Sequence, residues 1–394
     1  MATAPKSPES MESHLDWPFF AEGHRTLASG AAAWVASQQV DRRATDAACR
    51  QWVRRLGAAG FLRYTVPSPW GGSLDAVDSR ALCVLRETLA FHDGLADFAF
   101  AMQGLGSGAI ALAGTDALRR VWLPQVANGG AIAAFALSEP GAGSDVSALA
   151  TRAERVNGGW RLDGEKTWIS NGGIADFYCV FARSDAESTG SKGITGFCVP
   201  ATTPGLEVTE RIAVISPHPL ASLRLTSCVV ADAQVLGEPG TGFSLAMRTL
   251  DIFRVSVAAA AVGFARRALA ETIRHARSRA MFGSTLGGQP LAQAIIGDMA
   301  TDLEAAALLT YRAAWQRDTQ KGRTTTVAAM AKLAATENAQ TIIDRAVQLH
   351  GGQGVRVGSV VEQLYRDIRA LRIYEGATEV QRLLIGRELL KEPR

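Results

Sequence analysis

The sequence predicts a mainly α-helical protein with a central β domain, and three observations carry that reading. Residues 1–130 are dominated by Ala, Leu, Arg and Gln, with apolar residues recurring at three- and four-residue spacing. From 131 to 240 the texture changes to short alternating runs rich in Val, Thr and Gly. Beyond 241 the helical periodicity returns and holds to the C-terminus. The expected organisation is therefore an N-terminal α-helical domain (1–130), a small middle β domain (131–240) and a C-terminal α-helical bundle (241–394).

Within the first segment, "ALCVLRETLAFHD" (81–93) puts Leu82, Leu85, Leu89 and Phe91 on one helix face. "VPSPWGG" (66–72) reads as a loop, because its prolines and glycines do not sit inside a helix. "GLGSG" (104–108) has the look of a dinucleotide loop but lies between helical stretches, so close helix packing is the better reading. In the middle segment, "GWRLDGEKTWISNG", "DFYCVFARS", "GITGFCVP" and "ASLRLTSCVV" read as short strands of an antiparallel barrel or sandwich. The last segment predicts helices over 243–280, 290–320, 324–350, 359–371 and 376–391.

Composition narrows the function. Lys and Arg total 41 against 38 Asp and Glu, a net charge of +3, and no terminal basic run occurs. That balance gives no electrostatic footprint for nucleic acid or an acidic membrane. An odd count of five cysteines without a CxxC pair suits reduced thiols and a cytoplasmic protein. The opening "MATAPKSPESME" lacks the apolar core of a signal peptide, and "VSVAAAAVGFA" (255–265), flanked by Arg254 and Arg266, is too short to span a bilayer. No nucleophile elbow, Walker loop or HExxH motif is present, and the six histidines lack metal-ligand spacing.

Three stretches carry chemistry. "FALSEPGAGSDVSAL" (135–149) ends a strand in a hydroxyl-rich turn that offers backbone N–H groups and the Ser138 and Ser144 hydroxyls. "GEKTWISNG" (164–172) sets Trp168 beside Ser170, a flat apolar surface next to a hydroxyl, which suits an aromatic heterocycle or equally a buried structural Trp. "LRIYEGATEVQ" (371–381) places Glu375 between a tyrosine and a glycine, as either an exposed first-turn acid or a base shielded from water.

Taken together, "LSEPGAGSD", "KTWISNG", "LDIFR", "RAMFG", "QLHGGQG" and "RDIRALRIYEGATEVQ" follow the order and spacing of the acyl-CoA dehydrogenase family, which the chain resembles from about residue 20 to 391. The resemblance implies an FAD enzyme that oxidises an acyl-CoA, or a carrier-protein acyl thioester, to its α,β-enoyl product. Electrons would pass to an electron-transfer flavoprotein, and the protein would be a homo-oligomer, usually a tetramer built as a dimer of dimers. It implies flavin contacts from Phe135, Leu137, Ser138, Trp168, Ile169 and Ser170. Arg279, Phe282, Gln348, Gly351 and Gly352 would meet the cofactor's far end across a subunit boundary, and Thr378 and Glu379 would join the flavin contacts. Ser144, Ser184, Asp251 and Arg254 would meet the CoA arm, and Tyr374 and Gly376 the acyl thioester.

In the family the glutamate of "YEG" abstracts the substrate α-proton, which makes Glu375 the expected base. An ordinary carboxylate, with a pKa of about 4.3, is a poor base for so weak a carbon acid, so burial beside Tyr374 is expected to raise it. Some branches carry the base just before the arginine of "LDIFR"; here that position is Phe253, which accepts no proton.

The chain departs from the family pattern at three places. Met281 and Pro290 stand where flavin-loop glutamines are usual, with Gln289 or Gln293 as the substitute. "EGAT" stands where the family has "EGT", so a flavin-contacting hydroxyl moves to Thr378 or is lost. "IAVISPHPLASLRL" (212–225) inserts a stiff Pro217-His218-Pro219 turn, in which His218 reads as a solvent-facing loop residue. Same-fold flavin oxidases and monooxygenases are the alternative reading, and the DNA-binding relatives are disfavoured by the charge balance.

Overall fold

A computed structural model describes residues 13–320 and 323–391. The chain folds into two compact units. One gathers the described residues up to Gln38, Ser79–Asp97 and the described residues from Arg254 onward; the other holds Gln39–Asp78 and Phe98–Phe253.

The first unit is helical. It contains α1 (Glu22–Ala36), α3 (Ser79–His92) and the start of α4 (Gly94–Ala113), the greater part of α6 (Gly242–Ser278), then α7 (Pro290–Thr319), α8 (Thr325–His350), α9 (Val360–Leu371) and α10 (Thr378–Leu389). The long segments expected from 243 onward form within a few residues of the expected bounds. Their local starts are written in the sequence. Pro290 opens α7 with its fixed φ, and Ser359 caps α9 by accepting from Glu362 N while the Glu362 carboxylate returns to Gly358 N. Along α9, Val361, Leu364, Ile368 and Leu371 are buried at helical spacing, and the helix packs on α8. α8 also packs against α7 and α10, which makes it the central rod of this unit.

α3 differs from the one-faced helix the periodicity predicts. Leu82, Leu85 and Leu89 are buried as expected, but so are Cys83, Val84, Arg86, Glu87 and Ala90. A helix wrapped on all sides must neutralise its buried charges, and Glu87 is met by His14 at 3.3 Å, by Arg266 at 2.8 Å and by the Tyr311 hydroxyl.

The second unit contains α2 (Thr45–Ala58), most of α4, α5 (Asp116–Asn128) and the β domain. Its strands are β1 (Ala133–Ala136), β2 (Arg152–Val156), β3 (Gly159–Ser170), β4 (Phe177–Arg183), β5 (Ile194–Pro200), β6 (Leu206–Arg211), β7 (Leu220–Ala231) and β8 (Val235–Leu236). They make one eight-stranded sheet ordered β6-β7-β3-β2-β4-β5-β8. The pairing is antiparallel except at β4, which takes β1 in parallel along four residues and touches β2 in parallel at one. The apolar core of this unit joins Phe177, Cys179 and Phe181 of β4 to Ile110, Leu123 and Leu245.

The glycines of "GLGSG" lie inside α4, and a Cβ on each would collide: 2.5 Å from Phe253 at Gly104, 2.7 Å from the Ala133 backbone at Gly106 and 2.9 Å from Thr249 at Gly108. Close packing is therefore their role. α4 is also long and apolar enough to cross a membrane, which the shorter run at 255–265 is not, yet 83% of its apolar stretch is buried in the protein, the mark of a core helix.

Candidate active site

Two groups of the sequence-derived site residues take shape, one in each unit.

In the β unit the "LSEPG" turn is anchored from below. The Lys166 ammonium, fully buried, donates to Glu139 Oε1 at 2.6 Å and to the carbonyls of Leu137 (3.2 Å) and Phe181 (2.6 Å). Glu139 also accepts from the backbone N–H groups of Ala150 and Thr151. Burial pulls the lysine down to about 8 against the pull of Glu139, whose carboxyl burial would raise but Lys166 and the N–H donors hold below the usual range. Neither residue was singled out from the sequence; the signal was a lone lysine inside an otherwise strand-like run.

This anchor fixes Ser138, whose carbonyl accepts from Thr167 N at 3.0 Å, next to Trp168. The β3–β7 register slips between Lys166 and Ile169, and Trp168 takes a left-handed φ of 59° within that bulge. Bulges re-aim side chains, and here the indole is turned out to 59% exposure while Ile169 behind it is buried. A structural Trp is buried; this one is presented. Phe135 packs on Phe181 at 5.0 Å, Leu137 is buried, and Ser138 and Ser170 are half-buried. Ser144 is exposed in the turn, Ser184 shares a 2.6 Å hydrogen bond with Thr195, and Asp251 is half-buried on α6. His218 departs from its solvent-facing expectation: its half-buried ring lies 4.5 Å from Phe98, and Nδ1 sits 2.8 Å from the Ser216 carbonyl.

In the helical unit, Glu375 lies in the link between α9 and α10. Its φ is 52°, and Gly376 follows at 88°, so two successive residues are left-handed. A non-glycine residue there is strained, and such strain gathers at functional positions. The outward reading is excluded: Glu375 is half-buried, and its Oε2 is buried with no hydrogen-bond partner. Burial raises its carboxyl above the ordinary range, against the opposing charges of Arg86, Lys332 and Arg254. Tyr374 beside it is raised too, chiefly by burial. Arg86, Asp97, Lys332 and Gln381 around this glutamate were not found from the sequence. Asp97, alone among apolar residues in "GLADFAFAM", and Lys332, alone in "VAAMAKLAA", were the available signals.

Thr378 is buried and its hydroxyl donates to Glu337 at 2.6 Å, so its hydrogen is already spent; Glu379 is exposed in the first turn of α10. Elsewhere in this unit the "RAMFG" and "QLHGGQG" motifs meet. β9 (Ala280–Met281) and β10 (Ser284–Thr285) form a small hairpin whose Met281, like Leu349 of α8, packs against the cluster of Ala276, Leu286 and Ala292. His275 stacks on His350 at 4.3 Å, tying the end of α6 to the end of α8. Arg279, Gln348, Gly351 and Gly352 are exposed around this junction, and Phe282, at φ 48°, is 88% exposed. Gln289 occupies the N-cap position of α7 without a side-chain capping bond, whereas the Gln293 amide donates to the Gly287 carbonyl at 2.9 Å.

Comparison with known proteins identifies the chain's relatives. The N-terminal, middle and C-terminal domain models of acyl-CoA dehydrogenase match residues 22–130, 134–228 and 240–390. Human mitochondrial short-chain specific acyl-CoA dehydrogenase is 38% identical over 347 residues, covering 87% of this chain and 83% of that protein. Butyryl-CoA dehydrogenase from Megasphaera elsdenii superposes with a TM-score of 0.88 at 30% identity, over 97% of this chain and all of that one. A glutaryl-CoA dehydrogenase from Mycobacterium smegmatis in complex with FADH2 superposes at 0.87 and 26% identity, over 95% of this chain and 96% of that one. The chain belongs to the acyl-CoA dehydrogenase family and is an oxidoreductase of that class.

Proposed function

We propose that the protein dehydrogenates an acyl-CoA at its α,β carbons, with Glu375 as the base that takes the α-proton. One observation carries this: a buried carboxylate oxygen without a hydrogen-bond partner, on a strained left-handed residue. Such an atom is costly unless something else completes it, and a substrate C–H presented to it would do so. A carboxyl held above the ordinary range is also a better match for a weak carbon acid than a free one.

The residues present fit an FAD. Within the β unit Trp168 offers an exposed ring for the isoalloxazine, with Ser138 and Ser170 on the same stretch; within the helical unit Arg279, Gln348 and the Gly351-Gly352 pair offer a cation and open backbone for the pyrophosphate of a neighbouring subunit's cofactor, as the family resemblance implies. FAD, when bound, supplies the acceptor for the β-hydride. The chain's own part is to orient the thioester, exclude water and hold the α-proton on Glu375. Electron-transfer flavoprotein as acceptor follows the family resemblance. A tetramer is supported by large apolar side chains left exposed on the helical unit, Phe282 (88%), Val357 (81%) and Leu390 (86%) among them.

The test is anaerobic mixing of the flavin-loaded protein with short, branched, aromatic and dicarboxylic acyl-CoAs. Bleaching of the flavin band by one class and its loss in Glu375→Gln is expected; full activity in that variant would overturn the assignment.

A further inference from the structure

The turn that carries Glu375 is held by side chains from two other elements. Lys332 of α8 is 1% exposed, and its Nζ donates to the carbonyls of both Tyr374 and Gly376, one on each side of Glu375. Gln381 of α10, fully buried, donates Nε2 to the Gly376 carbonyl at 2.8 Å and to the Glu375 carbonyl at 3.4 Å. Three consecutive carbonyls, 374 to 376, are thus each met by a buried side-chain donor. Two left-handed residues in succession gather their carbonyls toward one side, and an ammonium with three donors can satisfy several at once. The φ of 88° at Gly376 calls for glycine, and a Cβ there would lie 2.4 Å from Gln381 Nε2 and push that amide aside.

We infer that Lys332, assisted by Gln381, is a positioning residue for the dehydrogenation, clamping the Tyr374–Gly376 backbone so that the Glu375 carboxylate is presented to substrate and supplying part of its counter-charge. The inference rests on the reading of Glu375 as base. A purely structural lysine would need only to satisfy the carbonyls. Lys332 also acts on the carboxylate itself: its charge and that of Glu375 stabilise one another, while burial pulls the ammonium down to about 8. The charged groups that act on Glu375 are Arg86 from α3, Asp97 from α4, Arg254 from α6 and Lys332 from α8, with the Tyr374 hydroxyl beside them. Lys332 in addition bonds the backbone carrying the base.

The two roles separate by substitution. Lys332→Met removes clamp and charge; Lys332→Arg keeps the charge but replaces a compact ammonium by a flat fork; Gln381→Leu removes donors without touching charge. On the flavin-loaded enzyme with its best acyl-CoA, Lys332→Met is expected to lower kcat about 100-fold with KM nearly unchanged and to move the acid limb of the kcat profile to higher pH. Lys332→Arg and Gln381→Leu are expected to lower kcat about 10-fold with the limb unmoved. A second reading is independent of turnover: the carboxyl band in the infrared difference between each protein and its Glu375→Gln counterpart, followed against pH, should shift its midpoint upward in Lys332→Met alone. An unmoved limb and midpoint in Lys332→Met, or an unchanged kcat in Gln381→Leu, would overturn the clamp while leaving Glu375 as base. Should Lys332→Met fail to fold, the Lys332→Arg and Gln381→Leu results decide alone. Activity in Glu375→Gln itself would sink the reading beneath it.

Discussion

Arg86 holds Asp97 through two parallel hydrogen bonds, Nε to Oδ1 and Nη2 to Oδ2, each 2.8 Å, with both side chains no more than 4% exposed. Nη1 of the same guanidinium reaches Ser256 Oγ at 3.1 Å. Burial would strip the arginine's charge, but Asp97 outweighs it and raises the group, so Arg86 stands as a fixed cation near Tyr374 and Glu375. Removing one member leaves a buried charge alone. Arg86→Met is expected to cost about 3–5 kcal/mol in denaturant unfolding, and Arg86→Met/Asp97→Leu to recover most of that loss. A double variant no better than the single one would mean that the pair is not a self-contained unit.

Glu375 makes stability depend on pH in a definite direction. Its folded-state carboxyl is raised, so its contribution is fully present below the ordinary carboxyl range and is lost as pH rises through the raised value. Glu375→Gln is expected to match the parent in thermal midpoint at pH 4.5 and to exceed it increasingly toward pH 8. A parent protein more stable than the variant at pH 8 would show that Arg86, Lys332 and Arg254 outweigh burial.

Trp168 already stands largely in solvent, so truncating it should barely affect folding. Trp168→Ala is expected to change stability by about 0.5 kcal/mol or less while weakening FAD binding about 3–10-fold by fluorescence titration, with Trp168→Phe near the parent. Unchanged flavin affinity in Trp168→Ala would remove the indole from the cofactor site.

The Lys166–Glu139 pair sits under the turn that carries Ser138, which we propose faces the flavin, and its loss should be felt there. Glu139→Gln is expected to destabilise the protein by about 3–5 kcal/mol and to lower the flavin content of the purified protein. Normal flavin content at reduced stability would confine the pair to structural support.

All five cysteines are buried thiols, and burial raises those of Cys49, Cys179, Cys198 and Cys228, Cys198 to about 12 and Cys228 to about 11. Native protein should therefore resist a thiol reagent at pH 8, with five thiols appearing only in denaturant. A rapidly reacting native cysteine would mark an opening that the fold does not suggest.

Periodicity and turn residues were enough to draw the helices and strands, because a long apolar stripe or an alternating run needs no distant partner to be read. The parallel entry of β1 beside β4 was not legible, since it depends on which strand is free to accept it rather than on either segment. The same division runs through the site. Glu375 and Trp168 could be named because their neighbours in sequence are distinctive. Arg86, Asp97, Lys166 and Lys332 could not, because a charge inside a helix or strand reads as a solvated face until its partner is known. His218 was misjudged for the same reason: a Pro-flanked histidine looks exposed until Phe98 is placed beneath its ring.

The helical unit is assembled from three separate lengths of chain, and this bears on biosynthesis. α3 leaves the ribosome with Glu87 already in it, while the Tyr311 hydroxyl that completes its buried site lies 224 residues downstream. Until then Glu87 has His14 but neither Arg266 nor Tyr311, so the burial of α3 is completed only in the last third of translation. A premature stop within that third would spare the β unit and still leave the first helices without a home.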